Sequence, residues 1–178
     1  KKLQKEVDQL DNNYQKLLPH LKRLDQDNDQ KIKVVHYSGS DKVKQLVWHA
    51  LEAESSVKSL AYRTLSEPLG RKFIINWQNE IVKRKIKTQL LANPGTFKQK
   101  AAVDQKSKDK YLPYSPSSWQ TKTITKDILE ISQETFVYDN VYAIVQWDKS
   151  IVFGVEIYNQ AVANQQKEIF DHLWSIAD

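Results

Sequence analysis

Between residues 31 and 92 the chain alternates twice between the two-residue period of a strand and the 3.6-residue period of a helix. No other feature constrains the fold as strongly. Lys31 to Tyr37 is short and β-branched, as a strand is. Ser38-Gly39-Ser40-Asp41 predicts a turn that ends in a helix N-cap, and Val43, Leu46, Val47, Ala50 and Leu51 mark one helical face. Val57 to Tyr62 predicts a second strand. Ser66 with Pro68 predicts the next helix start, with Leu69, Phe73, Trp77 and Ile81 as its apolar stripe. Arg84 to Ala92 predicts a third strand. Strands separated by helices are joined by right-handed crossovers and run parallel.

Beyond the Asn93-Pro94-Gly95 stop, residues 97–126 show no regular period. They predict a long loop holding a Lys-rich stretch, Tyr111-Leu112-Pro113 and Trp119, and a loop of this length is either mobile or functional. Strand-like runs then follow at Ile128 to Ile131, Phe136 to Tyr138, Val141 to Trp147 and Val152 to Tyr158. Asp139-Asn140 suits a tight hairpin turn, and the unbroken apolar run Val141 to Val145 predicts a central strand covered on both faces. A closing helix carries Val162, Ile169, Phe170, Leu173, Trp174 and Ala177 as its stripe. Residues 31–178 therefore read as one α/β domain with a mixed sheet flanked by helices.

Residues 1–27 read differently. Leu3, Val7, Leu10, Tyr14, Leu17, Leu21 and Leu24 are spaced by alternating steps of four and three, with polar residues nearly everywhere between. So narrow a stripe is the seam of a coiled coil, and it predicts a linker helix through which the chain forms a homodimer. Pro19 interrupts it, and Asp25 to Gln30 ends it.

Composition removes several functions. The absence of cysteine excludes a disulfide scaffold, a thiol nucleophile, a Cys-ligated zinc site and an iron–sulfur cluster. The histidines, at 20, 36, 49 and 172, form no H-x-x-x-H pair, and neither a metal nor a cofactor is expected. The sequence holds no G-x-G-x-x-G, no Walker loop and no G-x-S-x-G, and with only four glycines phosphate-cradling loops are scarce. His20, Lys22 and Asp27 do fit H-x-K-x-x-x-x-D. They lie on the heptad segment with no second copy, away from any strand end, and are read as a chance match. No run approaches 18 apolar residues and no signal peptide opens the sequence, so a cytoplasmic protein without membrane contact is expected. A chain that begins at Lys1 and has no methionine reads as a fragment of a longer protein. Charge is polarised: residues 71–110 carry eleven Lys or Arg against three acids, and residues 127–178 carry two against nine. The basic middle is either a solvated face or an anion-attracting patch.

The order of several motifs is familiar. Lys110-Tyr111-Leu112-Pro113, Phe136-Val137-Tyr138-Asp139-Asn140 with Val141-Tyr142-Ala143-Ile144-Val145, Phe153-Gly154-Val155-Glu156-Ile157 and the closing Ile169 to Ala177 helix follow one another. The chain resembles the C-terminal effector-binding domain of TrmB-like, sugar-responsive transcriptional regulators. The resemblance implies a phospholipase D-like fold without the catalytic motif, preceded by a coiled-coil helix. It also implies a DNA-binding winged helix absent from this sequence. No sugar-binding pattern of that family matches residue by residue. The expected function is ligand sensing and dimerisation in such a regulator, without catalysis. The alternatives are a phosphodiesterase of the phospholipase D superfamily and a ligand-free protein-interaction module.

In open α/β sheets ligands bind in the crevice beyond the carboxyl ends of the strands. That rule places a small polar ligand, such as a sugar or sugar phosphate, near Tyr62, Arg63 and Asn93, with Lys110 and Trp119 supplied by the long loop. Arg63 offers a fixed fork of donors and Trp119 a cover for an apolar ligand face. The competing structural reading pairs Arg63 with Glu67 and packs Trp119 within its own loop.

Overall fold

A computed structural model of the chain describes residues 32–96, 119–149 and 151–178. Contacts divide the chain into Lys1–Ile32 and Lys33–Asp178, and the architecture below is that of the second unit. The heptad positions from Leu3 to Leu24, and Lys110, lie outside the described residues.

Seven strands form one mixed sheet: β1 (Lys33–Ser38), β2 (Ser56–Ala61), β3 (Lys87–Ala92), β4 (Trp119–Thr123), β5 (Glu134–Tyr138), β6 (Val141–Trp147) and β7 (Val152–Tyr158). Their spatial order is β1-β7-β6-β5-β2-β3-β4. β2, β3 and β4 are mutually parallel, and the remaining neighbours are antiparallel. β1 thus runs in the same sense as β2 and β3, but β7, β6 and β5 separate it from them. The helices are α1 (Ser40–His49), α2 (Ser66–Leu69), α3 (Arg71–Lys83) and α4 (Gln160–Ile176), with a 3₁₀ turn at Ala50–Glu52.

α1 and α3 cover one face of the sheet. Val43, Leu46 and Val47 of α1, and Ile74, Trp77 and Ile81 of α3, are buried at helical spacing. Trp77 meets Phe136 of β5 edge to face, with centroids 6.1 Å apart. α1 approaches β7 closely: a Cβ on Gly154 would lie 2.6 Å from the Leu46 side chain and 3.1 Å from the Ile144 carbonyl. α4 covers the other face. Its Phe170 is buried in a cluster with Leu91, Ile124, Ile131 and Ala177, and its start is capped by the Asn159 side chain, which accepts from the Val162 amide at 2.9 Å.

Several expectations need correction. The helix expected from Ser66 is two helices, because Gly70 at φ 83° breaks the α-helical path between α2 and α3. Residues 128–131 are not a strand; the chain turns at 126–128 and then runs irregularly toward β5. Trp119 does not belong to a loop but opens β4. The strand buried at every position is β5, which lies between β2 and β6; β6, despite its apolar run, alternates between buried positions and half-buried or exposed ones. Ile169, counted in the α4 stripe, is instead exposed. The Asp139-Asn140 turn is as expected: it joins β5 to β6 with Tyr138 opposite Val141, and Asp139 adopts φ 38°.

A buried carboxylate ties α1 to the sheet. Glu156 of β7 is fully enclosed. Its oxygens accept from the hydroxyls of Tyr37, Tyr158 at 3.0 Å and Tyr138 at 3.3 Å, and both lie 3.1 Å from His49 Nδ1 at the end of α1. Burial first, with the adjacent carboxylate adding to it, pushes all three phenols well above their ordinary pKa. They therefore remain protonated donors. Glu156 was not singled out from the sequence, where a lone acid in an apolar strand gives no sign of four partners, three of them arriving from other elements.

Candidate ligand site at the carboxyl end of β2

β2 ends at Ala61, and the next two residues turn out over the end of the sheet. Antiparallel pairing of β5 with β2 and of β6 with β5 brings the last residue of β6, Trp147, to the same end. Tyr62 and Trp147 meet edge to face, with centroids 5.4 Å apart. The Arg63 guanidinium carbon lies 5.4 Å from the Tyr62 ring centre and 5.9 Å from that of Trp147, within cation–π range of both.

Two carboxylates complete the cluster. Glu67, in the single turn of α2, accepts from Arg63 and, at 3.1 Å, from Trp147 Nε1. Glu134, at the start of β5, is buried and accepts from the Tyr62 amide at 3.0 Å and the Ser59 hydroxyl at 3.4 Å. Glu134 thereby fixes the backbone that presents Tyr62 and Arg63. Hydrogen bonding to Tyr62 and then Glu67 raises the Arg63 pKa further, so this side chain is a permanent cation. Its side chain is 40% exposed and that of Glu67 is 44% exposed, so solvent reaches the ion pair. Chemically the cluster offers a half-exposed donor fork, two aromatic surfaces, and a carboxylate that occupies the fork and can be displaced from it.

The residues expected to share a site are only partly brought together. Tyr62 and Arg63 are adjacent, and the Arg63–Glu67 pair expected under the structural reading is formed. Asn93 does stand at the carboxyl end of β3, but its side chain is buried and committed. It donates to the carbonyls of Ile124 at 2.9 Å and Leu129 at 2.8 Å, and accepts from the Ile131 amide at 2.9 Å, holding down the segment that leads to β5. Trp119 is at the wrong end. It pairs with Thr88 at the amino end of β3, whereas Ala61 pairs with Ala92, four residues or about 13 Å further along. There it packs edge to face on Trp77 at 6.3 Å. Trp147 and Glu134 were missed. The only signal for them is the hairpin register, which becomes informative once β5 is known to lie beside β2.

No protein-family model matches the sequence. No curated protein matches it either. Solved structures do match the fold. Nuc, a phospholipase D family member from Salmonella typhimurium, matches with a TM-score of 0.61 at 16% identity, over 83% of this chain and 97% of Nuc. The fold is phospholipase D-like. NucT from Helicobacter pylori matches in the same way, with a TM-score of 0.58 at 12% identity over 83% of this chain and 98% of NucT. TrmBL2, described as an archaeal chromatin protein with a novel mode of DNA binding, matches over 98% of this chain with a TM-score of 0.56 at 16% identity. This chain spans 65% of the TrmBL2 chain.

Proposed function

We propose that this chain is the ligand-sensing and dimerising part of a TrmB-like transcriptional regulator, non-catalytic and built on a phospholipase D-like domain. The observation that carries the proposal is the extent of the matches. Nuc and NucT leave 17% of this chain outside the match, whereas TrmBL2 leaves only 2%, too little to exclude the heptad segment. A phospholipase D-like fold extended by a heptad segment fits a regulator better than an enzyme, since fold alone does not carry activity.

The cluster at the end of β2 supports the non-catalytic reading. Its charged groups are Arg63, Glu67 and Glu134, whereas the described histidines lie on β1 (His36), α1 (His49) and α4 (His172). In this reading Tyr62, Arg63 and Trp147 hold a small polar ligand, with a sugar or sugar phosphate the expected class. A ligand anion or vicinal diol takes the place of the Glu67 carboxylate on the Arg63 fork. DNA is read by a winged-helix domain outside this sequence, the homodimer forms through residues 1–27, and the location is cytoplasmic. No helix among the described residues is long and apolar enough to cross a membrane.

Two assays on the purified chain test the proposal. Hydrolysis of bis(p-nitrophenyl) phosphate is expected at the level of the buffer, and unchanged in His20→Ala. Duplex DNA is expected to bind weakly through Lys83, Arg84 and Lys85, equally for cognate-region and scrambled sequences, with affinity lost as salt rises. A hydrolysis rate abolished by His20→Ala makes the chain an enzyme. A sequence preference that persists at high salt puts the reading element inside this chain.

A further inference from the structure

Among the described residues α4 is the only helix on its side of the sheet. Seven strands spaced by about 4.8 Å span roughly 29 Å, and a helix is about 10 Å wide, so one helix leaves strands uncovered. The side chains of α4 identify them. Ala163 and Phe170 are buried against the sheet. On one flank Asp171 pairs with Lys58 of β2, and the Trp174 carbonyl accepts from Lys122 of β4 at 3.0 Å. The opposite flank, Val162, Gln166, Ile169, Leu173 and Ile176, therefore turns toward β6, β7 and β1.

The strand register gives the composition of the sheet face beside that flank. Paired residues point to one side, and Leu91, Leu60, Thr135, Ile144, Val155 and His36 form one row. Leu91 and Thr135 are buried, Ile144 and Val155 are half-buried and His36 is exposed, so cover is lost from β6 outward. On β6, β7 and β1 this face carries Val34, Tyr142, Ile144, Phe153, Val155 and Ile157. Only His36, Ser38 and Gln146 are polar there, whereas the solvated face of an antiparallel sheet is normally polar. Val34, Ile169 and Ile176 are 60%, 46% and 49% exposed, three of the six strongly exposed large apolar side chains among the described residues. No Asp, Glu, Lys or Arg lies on the open face or on the α4 flank. A continuous apolar surface of this kind marks an interaction site.

We propose that the open face and the flank of α4 seat the α4 helix of a second copy of this chain. The proposal rests on the homodimer expected through residues 1–27, and adds where the two α/β domains meet. The flank is spaced 4, 3, 4, 3, as the seam of a helix pair is. Val162 and Ile176 each lie seven residues from Ile169, so the seam is self-complementary about a two-fold axis at Ile169. Two α4 helices then lie antiparallel, with Ile169 on its own copy and Val162 on Ile176. Gln165 and His172, on the outer margin of the seam, face each other, so no like charges meet. Each helix thereby covers the open strands of the other domain. The sheet patch and helix flank offer on the order of 500 Å² per copy, so the contact buries about 1,000 Å², the low end of specific interfaces. Such a contact is weak alone, and forms between domains that a tether holds at millimolar effective concentration.

The chain has no cysteine, so one introduced thiol reports the contact by disulfide cross-linking. Under mild oxidation of the whole chain, Ile169→Cys is expected to form a linked dimer at least about ten-fold faster than Lys83→Cys. Lys83 is the control because its side chain is 75% exposed on α3, across the sheet from α4. Adding Val34→Glu and Ile176→Glu to Ile169→Cys is expected to slow the linking at least about ten-fold. Val34, Ile169 and Ile176 are exposed, and unaltered thermal midpoints confirm that the variants fold. Sedimentation of the parent, run in parallel, separates this contact from the tether. In a dimeric parent, linking of Ile169→Cys no faster than that of Lys83→Cys overturns the contact and leaves the dimer through residues 1–27 in place. The reactivity of that thiol with N-ethylmaleimide then shows whether the face is open to a different protein or covered by its own chain. Linking undiminished by the two glutamates also overturns the contact. A parent that sediments as a monomer overturns the tether, and this proposal with it.

Discussion

Replacing Glu156 by alanine is expected to destabilise the α/β domain by about 3–5 kcal/mol, the combined cost of buried hydroxyl donors left unpaired, about 1–3 kcal/mol each, and of the cavity. The carboxylate receives the hydroxyls of Tyr37, Tyr138 and Tyr158 and lies within hydrogen-bonding distance of His49. Removal leaves those donors buried or half-buried without an acceptor, in addition to a cavity. Since a domain of this size is stable by only about 5–15 kcal/mol, the variant is expected to be marginal at 25 °C. Glu156→Gln keeps the shape and one acceptor, and is expected to lose less than half as much. Urea unfolding monitored by tryptophan fluorescence measures both, with an unchanged slope showing that the same surface is exposed. An alanine variant within about 1 kcal/mol of the parent contradicts the network's role in holding α1 to β1, β5 and β7.

The second large effect concerns assembly. Leu10 and Leu17 are one heptad apart in the stripe that runs from Leu3 to Leu24, and glutamate at both puts unpaired charge into an apolar seam. Sedimentation is expected to give twice the 20.8 kDa chain mass for the parent and the single-chain mass for Leu10→Glu with Leu17→Glu. A parent that is monomeric at high concentration removes the dimer from the account. A double variant that remains dimeric assigns the interface to the α/β domain.

Elements with a strong local signal were legible in the sequence. The β-branched run before Tyr37, the helical spacing from Val43 to Leu51 and the Asp139-Asn140 turn each depend on neighbours a few residues away, and each lies where expected. What was not legible depends on partners distant in sequence. The Val141–Val145 run suggested a central strand covered on both faces; β6 does lie inside the sheet, between β5 and β7, but the strand buried at every position is its neighbour β5. Trp119 was read as a loop residue because Pro and Ser surround it, yet pairing with β3 makes it a strand. The same dependence shaped the candidate site. Tyr62 and Arg63 could be placed because a strand end is a local feature. Trp147 is separated from Arg63 by 84 residues and reaches it only through two antiparallel pairings. Asn93 was placed at the correct strand end, but its three hydrogen bonds to a segment more than 30 residues away have no local sign.

The most direct measurement of the sensing role is a thermal-shift screen of sugars and sugar phosphates on the parent chain, Arg63→Ala and Trp147→Phe. A ligand that binds only the folded state raises the midpoint by mass action, to an extent set by its concentration relative to Kd. At about one hundred times Kd the stabilisation is about 2.7 kcal/mol, several degrees for a domain of this size. At least one compound is expected to produce such a shift in the parent, with most of it lost in Arg63→Ala and part of it lost in Trp147→Phe. A shift that is identical in all three proteins, or no shift from any compound, contradicts a sensor site at the end of β2.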